Sequence, residues 1–147
     1  MILAIDIGNT NIVIGCCADG QVIFRERVST NPTATVLEYA AMLKMAFDMN
    51  RADITAVDGA ILSSVVPAVT LTMRDAVHKY LHLTPLVVGP GIKTGLRIHI
   101  DNPAQLGSDL VVDAVAGIHH YPLPQIIIDM GTATIISYIS EKRTYEG

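Results

Sequence analysis

The chain has 147 residues, half of them hydrophobic and 16% charged, which is enough apolar surface for one ordinary core and excludes a disordered tail or solvated linker. Fourteen acids against ten bases leave a net charge of −4, so no basic surface is available to a nucleic-acid backbone. No apolar run reaches the roughly 18 residues of a membrane span, and Met1 to Asp6 lacks the basic region and cleavage site of a secretory signal, so a soluble, cytoplasmic protein with no membrane partner is expected.

Leu3 to Asp6, Asn11 to Cys17 and Gln21 to Ser29 are Ile- and Val-rich runs divided by Gly8-Asn9 and Asp19-Gly20, the pattern of three strands joined by tight turns. Asn31-Pro32 offers an N-cap and a proline at the first helical position, and Val36, Ala40, Leu43 and Phe47 form one apolar face of a helix ending near Asn50. An apolar strand over Ala56 to Val65, a helix opened by Pro67 with Val69, Met73, Val77 and Tyr80 inward, and a strand at Leu86 to Val88 follow, before a turn at Gly89-Pro90-Gly91. This order predicts a mixed sheet with a hairpin-built edge and helical crossovers.

Lys93 to His99 is irregular or weakly extended. A further helix is expected from Asn102-Pro103, with Gln105 in the capping-box position and Leu106, Leu110, Ala114 and Ile118 as its stripe, ending at Tyr121-Pro122-Leu123-Pro124. Gln125 to Asp129 and Thr134 to Ser140 read as strands. Cys16 and Cys17 are adjacent, unsuited to a disulfide, and are expected to be buried small hydrophobes. His78 and His82 have metal-ligand spacing but no third ligand nearby, which favours a solvated helix face; His119-His120 at a helix end complements the dipole, and the six methionines are core filler.

The run from Leu3 through Asp6-Ile7-Gly8-Asn9-Thr10 to Asn11-Ile12 returns 123 residues later as Ile126 through Asp129-Met130-Gly131-Thr132-Ala133 to Thr134-Ile135. Each is an apolar strand, an acid, a glycine turn and a second apolar strand. One such turn is an ordinary hairpin. Two, at this separation, predict two related domains whose turns face each other across a nucleotide tail. Glycine admits close approach of the backbone, turn amides point at phosphate oxygens, and the Asp carboxylates orient a cation. Asp109, beside the apolar stripe at a helix start, is suited to receive the proton of an acceptor hydroxyl; read alone, it is equally an acid complementing a helix dipole. Asp113 is read as structural or supporting.

These motifs resemble those of the actin, sugar kinase and Hsp70 superfamily, and more closely the type III pantothenate kinases. Asp6 to Asn11 resembles that family's first phosphate motif, Ser63-Ser64-Val65-Val66-Pro67 its strand-to-helix junction, Asp101-Asn102-Pro103 through Gly107-Ser108-Asp109-Leu110 its substrate and catalytic motif, and Asp129 to Thr134 its second phosphate motif. The resemblance implies an RNase H-like (actin-like ATPase) α/β fold, a mixed sheet with flanking helices in residues 1–104, followed by the connecting helix and opening hairpin of a second, similar domain in 105–147. Family members are about twice as long, so an incomplete, inactive and marginally stable chain with exposed apolar strands is expected.

The implied activity is ATP-dependent phosphorylation of pantothenate, the first step of coenzyme A synthesis, by a homodimer using Mg²⁺ and a monovalent cation, K⁺ or ammonium. By the same resemblance Asp6, Ile7, Gly8, Asn9, Thr10, Asn11, Ile12 and Val13 hold the ATP phosphates and, through Asp6, the metal. Thr132 contacts ATP, Asp129 binds the monovalent cation, Asp109 is the general base, and Ile100, Gly107, Ser108, Asp109 and Leu110 line the pantothenate site. Two positions depart from the family: Leu110 stands where many members have Arg, and Ile100 where they have an aromatic residue. Leu110 removes a planar partner for the pantothenate carboxylate, leaving Arg97 or Lys93 as candidates for that contact. A non-catalytic nucleotide-binding regulator and a kinase for another hydroxyl substrate are the alternatives.

Overall fold

The computed structural model describes residues 1–89 and 92–147, so Pro90 and Gly91 of the expected turn lie outside the described residues. Two compact units, Met1–Val88 and Gly89–Gly147, make up the chain.

In the first unit β1 (Ile2–Ile7), β2 (Asn11–Ala18) and β3 (Gln21–Ser29) form an antiparallel meander, and β4 (Gly59–Ser64) and β5 (Leu86–Val87) extend it in the order β3-β2-β1-β4-β5. β4 runs parallel to β1, and β5 to β4. Parallel neighbours need crossovers, and α1 (Val36–Asn50) and α2 (Pro67–Leu81) supply them. The period-two pattern of the strands sends Leu3, Ile5, Ile7, Ile12, Ile14 and Cys16 to one face, where they are buried with Leu43 and Phe47 of α1 and Val69, Met73 and Val77 of α2. Phe47 sits edge-on to Phe24 at 5.2 Å and to Tyr80 at 6.0 Å.

Several local expectations are corrected. α1 starts at Val36 because Thr35 and Glu38 form a capping box, with the Glu38 carboxylate accepting from the Thr35 amide at 2.7 Å. The earlier Asn31-Pro32 signal is spent on a turn in which the Asn31 side chain accepts from the Thr33 amide at 3.1 Å. Asp53 similarly caps a short 3₁₀ turn over Ile54–Ala56, delaying β4 to Gly59. Cys16 is buried, and burial pushes its thiol pKa up, but Cys17 is only half-buried beside a register shift in β2. His82 is the left-handed C-cap of α2, and both it and His78 are exposed.

In the second unit β6 (Arg97–Ile98), β9 (Thr144–Tyr145), β8 (Thr134–Ile139) and β7 (Gln125–Met130) form a sheet in that order, with α3 (Ser108–His120) packed on β7. Ala114, Ile139 and Tyr145 are its buried centre, surrounded by partly buried Ile98, Ile100, Leu106, Leu110 and Ile127. Gly117 lets α3 lie close to β7: a Cβ there would stand 3.0 Å from Ile127 Cδ1 and 2.8 Å from Gln125 Nε2. The parallel pairing of Arg97–Ile98 with Thr144–Tyr145 ties residues ahead of 104 to this unit. α3 begins six residues later than Asn102. Asn102 makes no side-chain cap; Pro103–Gln105 is a single 3₁₀ turn that breaks at extended Leu106. Leu106 therefore packs on the core from outside the helix.

Candidate active site

The first bend is built by the pairing of β1 with two neighbours. Asp6 lies opposite Val13 on β2 and Ser63 on β4, and the adjacent ends of the parallel strands are joined by the Val65 amide donating to the Ile7 carbonyl at 3.0 Å. Past Ile7 the chain turns through Gly8, whose amide donates to the Asn11 carbonyl at 2.9 Å. A Cβ on Gly8 would come within 3.1 Å of that same oxygen, so the close approach requires glycine. The Thr30 hydroxyl braces the bend by donating to the Gly8 carbonyl at 2.7 Å; this contact joins residues 22 apart and carries no sequence signal. Asp6, Asn9 and Thr10 are exposed, Gly8, Asn11 and Val13 are half-buried, and the Ile7 and Ile12 side chains are in the core, leaving only their backbone for a ligand.

At the strand-to-helix junction the Ser64 hydroxyl accepts from the Val66 amide at 3.1 Å and from the Thr70 hydroxyl at 2.8 Å. These bonds fix the entry into α2, so the visible work of Ser64 is structural.

The second bend repeats the first with one residue fewer. Ile7 pairs with Ile12, whereas Met130 pairs with Thr134, and the equivalent closing bond runs from the Gly131 amide to the Ala133 carbonyl at 3.1 Å. The half-buried Asp129 carboxylate lies over this turn, 3.8 Å from where a Gly131 Cβ would stand. Gly131, Thr132 and Ala133 are exposed.

Asp109 is the second residue of α3, after Gly107 as N-cap and Ser108. A helix start leaves backbone N–H groups unpaired, and the Asp109 carboxylate accepts from one of them, the Leu110 amide, at 2.8 Å. That bond fixes the carboxylate at the helix mouth. Gly107, Ser108 and Asp109 are half-buried, while Leu110 and Ile100 pack against the Ala114–Ile139–Tyr145 centre. Arg97 and Lys93 are exposed. Asp113, read from sequence as a supporting residue, lines a cavity of about 630 Å³ together with Asp129, His120, Tyr121 and Gln125. The Gln125 amide nitrogen is buried there without a partner, a feature with no sequence signal.

Among the described residues no three His, Cys, Asp or Glu side chains converge on a metal position, and no helix is long and apolar enough to cross a membrane.

The chain is 48% identical over its full length to a type III pantothenate kinase of Exiguobacterium, of which it spans 58%. Among solved structures, a Sinorhizobium meliloti protein assigned as a 2-dehydro-3-deoxygalactonokinase matches all of this chain and 52% of its own, at 12% identity and a TM-score of 0.55. The Aquifex aeolicus Ppx/GppA phosphatase matches 95% of this chain and 48% of its own, at 15% identity and a TM-score of 0.51. At such identities these two show the fold alone, the actin-like ATPase fold that the motif resemblance implies. The family model for type III pantothenate kinases matches residues 2–147, and the chain belongs to that family.

Proposed function

We propose that the protein to which this sequence belongs phosphorylates pantothenate from ATP, the first step of coenzyme A synthesis. The observation that carries this reading is the recurrence of one acidic glycine bend in both units, together with an Asp fixed at a helix mouth. Phosphoryl transfer asks a protein mainly to position and neutralise. The amides and side chains of Gly8 to Asn11 and Gly131 to Thr132 cradle phosphate oxygens without adding charge. Asp6 would hold Mg²⁺ and Asp129 K⁺ or ammonium, cations that would offset the charge building on the transferred group. Asp109 accepts the proton of the pantothenate hydroxyl as its oxygen bonds to the γ-phosphorus, and the bond from that phosphorus to the ADP oxygen breaks.

Gly107, Ser108, Ile100 and Leu110 border the acceptor, with Arg97 or Lys93 reaching its carboxylate in place of the family arginine. A homodimer in the cytoplasm is the expected setting.

The test is ADP release, with pantothenate and a panel of hexoses, from this chain continued by the remaining part of the Exiguobacterium relative. Turnover with pantothenate alone is expected, and Asp109→Ala should lower kcat by roughly 10²–10⁴-fold with little change in the KM for ATP. Turnover that survives Asp109→Ala, or that prefers a hexose, overturns the assignment. The packing of Leu110 against the apolar centre favours one second reading, a member that binds nucleotide without transferring phosphate; ATP binding with no turnover on any acceptor would establish it.

A further inference from the structure

β3 is one edge of the first unit's sheet, and its side chains divide between the two faces. Phe24 is buried, Val28 packs against the same core, and Glu26 accepts from the Asn50 side-chain amide of α1 at 2.7 Å. Arg25 and Arg27 alternate with them and so stand on the opposite face, where both are exposed.

The ladder fixes what shares that face. Asp6 lies opposite Val13, and Val13 opposite Arg27; residues directly opposite in a sheet project to the same side. Asp6, Val13 and Arg27 therefore form one row across three strands. With neighbouring strands about 4.8 Å apart, the Arg27 backbone stands about 10 Å from that of Asp6, a gap across which a long side chain reaches a ligand seated over Val13. The next row holds Ala4, Gly15 and Arg25, two residues or roughly 7 Å further from the bend. Among the described strand residues on this face Asp6 is the one acid, and Arg25 and Arg27 are the only bases.

Two bonds tie β3 to the bend itself. The Thr30 hydroxyl donates to the Gly8 carbonyl at 2.7 Å, and the Thr30 amide to the Thr10 carbonyl at 2.9 Å. Arg27, three residues earlier, is thereby held at a set distance from Gly8 to Asn11. Among the described residues it makes no ion pair, so its guanidinium is not spent on a protein carboxylate.

We propose that Arg27 contacts the phosphate oxygens of the nucleotide at the first bend, its planar guanidinium offering paired donors across Val13. The proposal rests on the reading of that bend as a phosphate cradle. A polyphosphate brings several negative charges to a face whose own carboxylate, Asp6, is negative as well, and turn amides contribute only partial charges. Arg27 supplies the full positive charge that the bend lacks. Arg25, one row further back on the same strand, guards the exposed sheet edge without reaching the ligand.

The test is calorimetric titration of the full-length protein to which this sequence belongs with MgATP, inorganic tripolyphosphate and adenosine. Arg27→Gln should weaken MgATP and tripolyphosphate by about tenfold or more, the scale of one charge-assisted bond, and leave adenosine within about twofold. Arg27→Lys, which keeps the charge and loses the fork, should fall between the two. Arg25→Gln should leave all three ligands within about twofold. Every variant should keep the circular dichroism and melting temperature of the parent, since both side chains are exposed. Added salt should weaken tripolyphosphate binding less in Arg27→Gln than in the parent. Equal effects of Arg25→Gln and Arg27→Gln, an adenosine loss as large as the tripolyphosphate loss, or an unchanged MgATP affinity in Arg27→Gln overturns the proposal. The kinase assignment is judged separately, by turnover of pantothenate. A parent that binds tripolyphosphate through Arg27 yet phosphorylates nothing supports this proposal and defeats that assignment; turnover with Arg27→Gln unaffected does the reverse. A parent that binds neither MgATP nor tripolyphosphate overturns both.

Discussion

The two glycine-bend hairpins have nearly the same polar skeleton and opposite apolar fates. In β1–β2 the residues flanking the bend are sealed under two helices, with Phe47 wedged between Phe24 and Tyr80. In β7–β8 the equivalent residues face outward and the opposite face carries the core with α3. An acid, a glycine and a turn can therefore be kept while the hydrophobic contacts of the strands change completely. Under the proposed function the acids answer to phosphate and cation, while the positions of the isoleucines answer to whatever packs next to them.

That contrast is open to direct attack by mutation. Phe47→Ala should cost about 3–5 kcal/mol of the first unit's stability, whereas Ile136→Ala, which empties no cavity, should stay within about 0.5 kcal/mol. Urea unfolding followed by hydrogen exchange in each unit measures both, and equal costs would mean that the face of β8 is covered. Next in size is the pair of turn glycines. Gly8→Ala pushes a methyl to 3.1 Å from a backbone oxygen, while Gly131→Ala meets its nearest atom at an ordinary 3.7 Å; a loss of about 1–2 kcal/mol is expected for the first and little for the second.

The smallest effect concerns helix starts. Thr35→Ala should destabilise α1 by about 1 kcal/mol, whereas Asn102→Ala should leave α3 unchanged, since it caps nothing. The Glu38 carboxyl, hydrogen-bonded by the Thr35 amide and then by its hydroxyl, is held below the usual glutamate range. A carboxyl with a depressed folded-state pKa stabilises fully above its unfolded value and loses that contribution as pH falls through the folded one. The Thr35→Ala penalty should therefore shrink as pH drops below the ordinary glutamate range, and a penalty that does not vary with pH would mean that the bond from the Thr35 hydroxyl to the Glu38 carboxylate contributes nothing.

Much of the first unit was legible because its signals are local. Alternating Ile and Val gave β1 and β2, Pro67 marked the first residue of α2, and the Asp-Gly pair at 19–20 marked a hairpin. Thr35 to Glu38 was equally legible as a capping box, but the nearby Asn31-Pro32 resembles a cap as well and formed a turn instead. At Asn102-Pro103 the same dipeptide misled again, because the real N-cap of α3, Gly107, makes no side-chain bond that a sequence could advertise. β6 and β9 are two-residue strands that meet from distant parts of the chain, so nothing local announces them. Of the candidate site, the two bends and Asp109 could be read from residue type and order. The Thr30 brace and the unpartnered Gln125 amide depend on which atoms fold next to which.

The missing residue of the second turn has a practical consequence for anyone recombining the two halves. A gap-free superposition of the repeats sets Ile135 against Ile12, yet the ladder sets Thr134 there. Because neighbouring side chains on a strand point to opposite sides, grafting β8 onto the first bend by the gap-free match would turn that strand inside out. Cutting before Asp6 and after the second strand, and exchanging whole hairpins, keeps the pairing register within each hairpin.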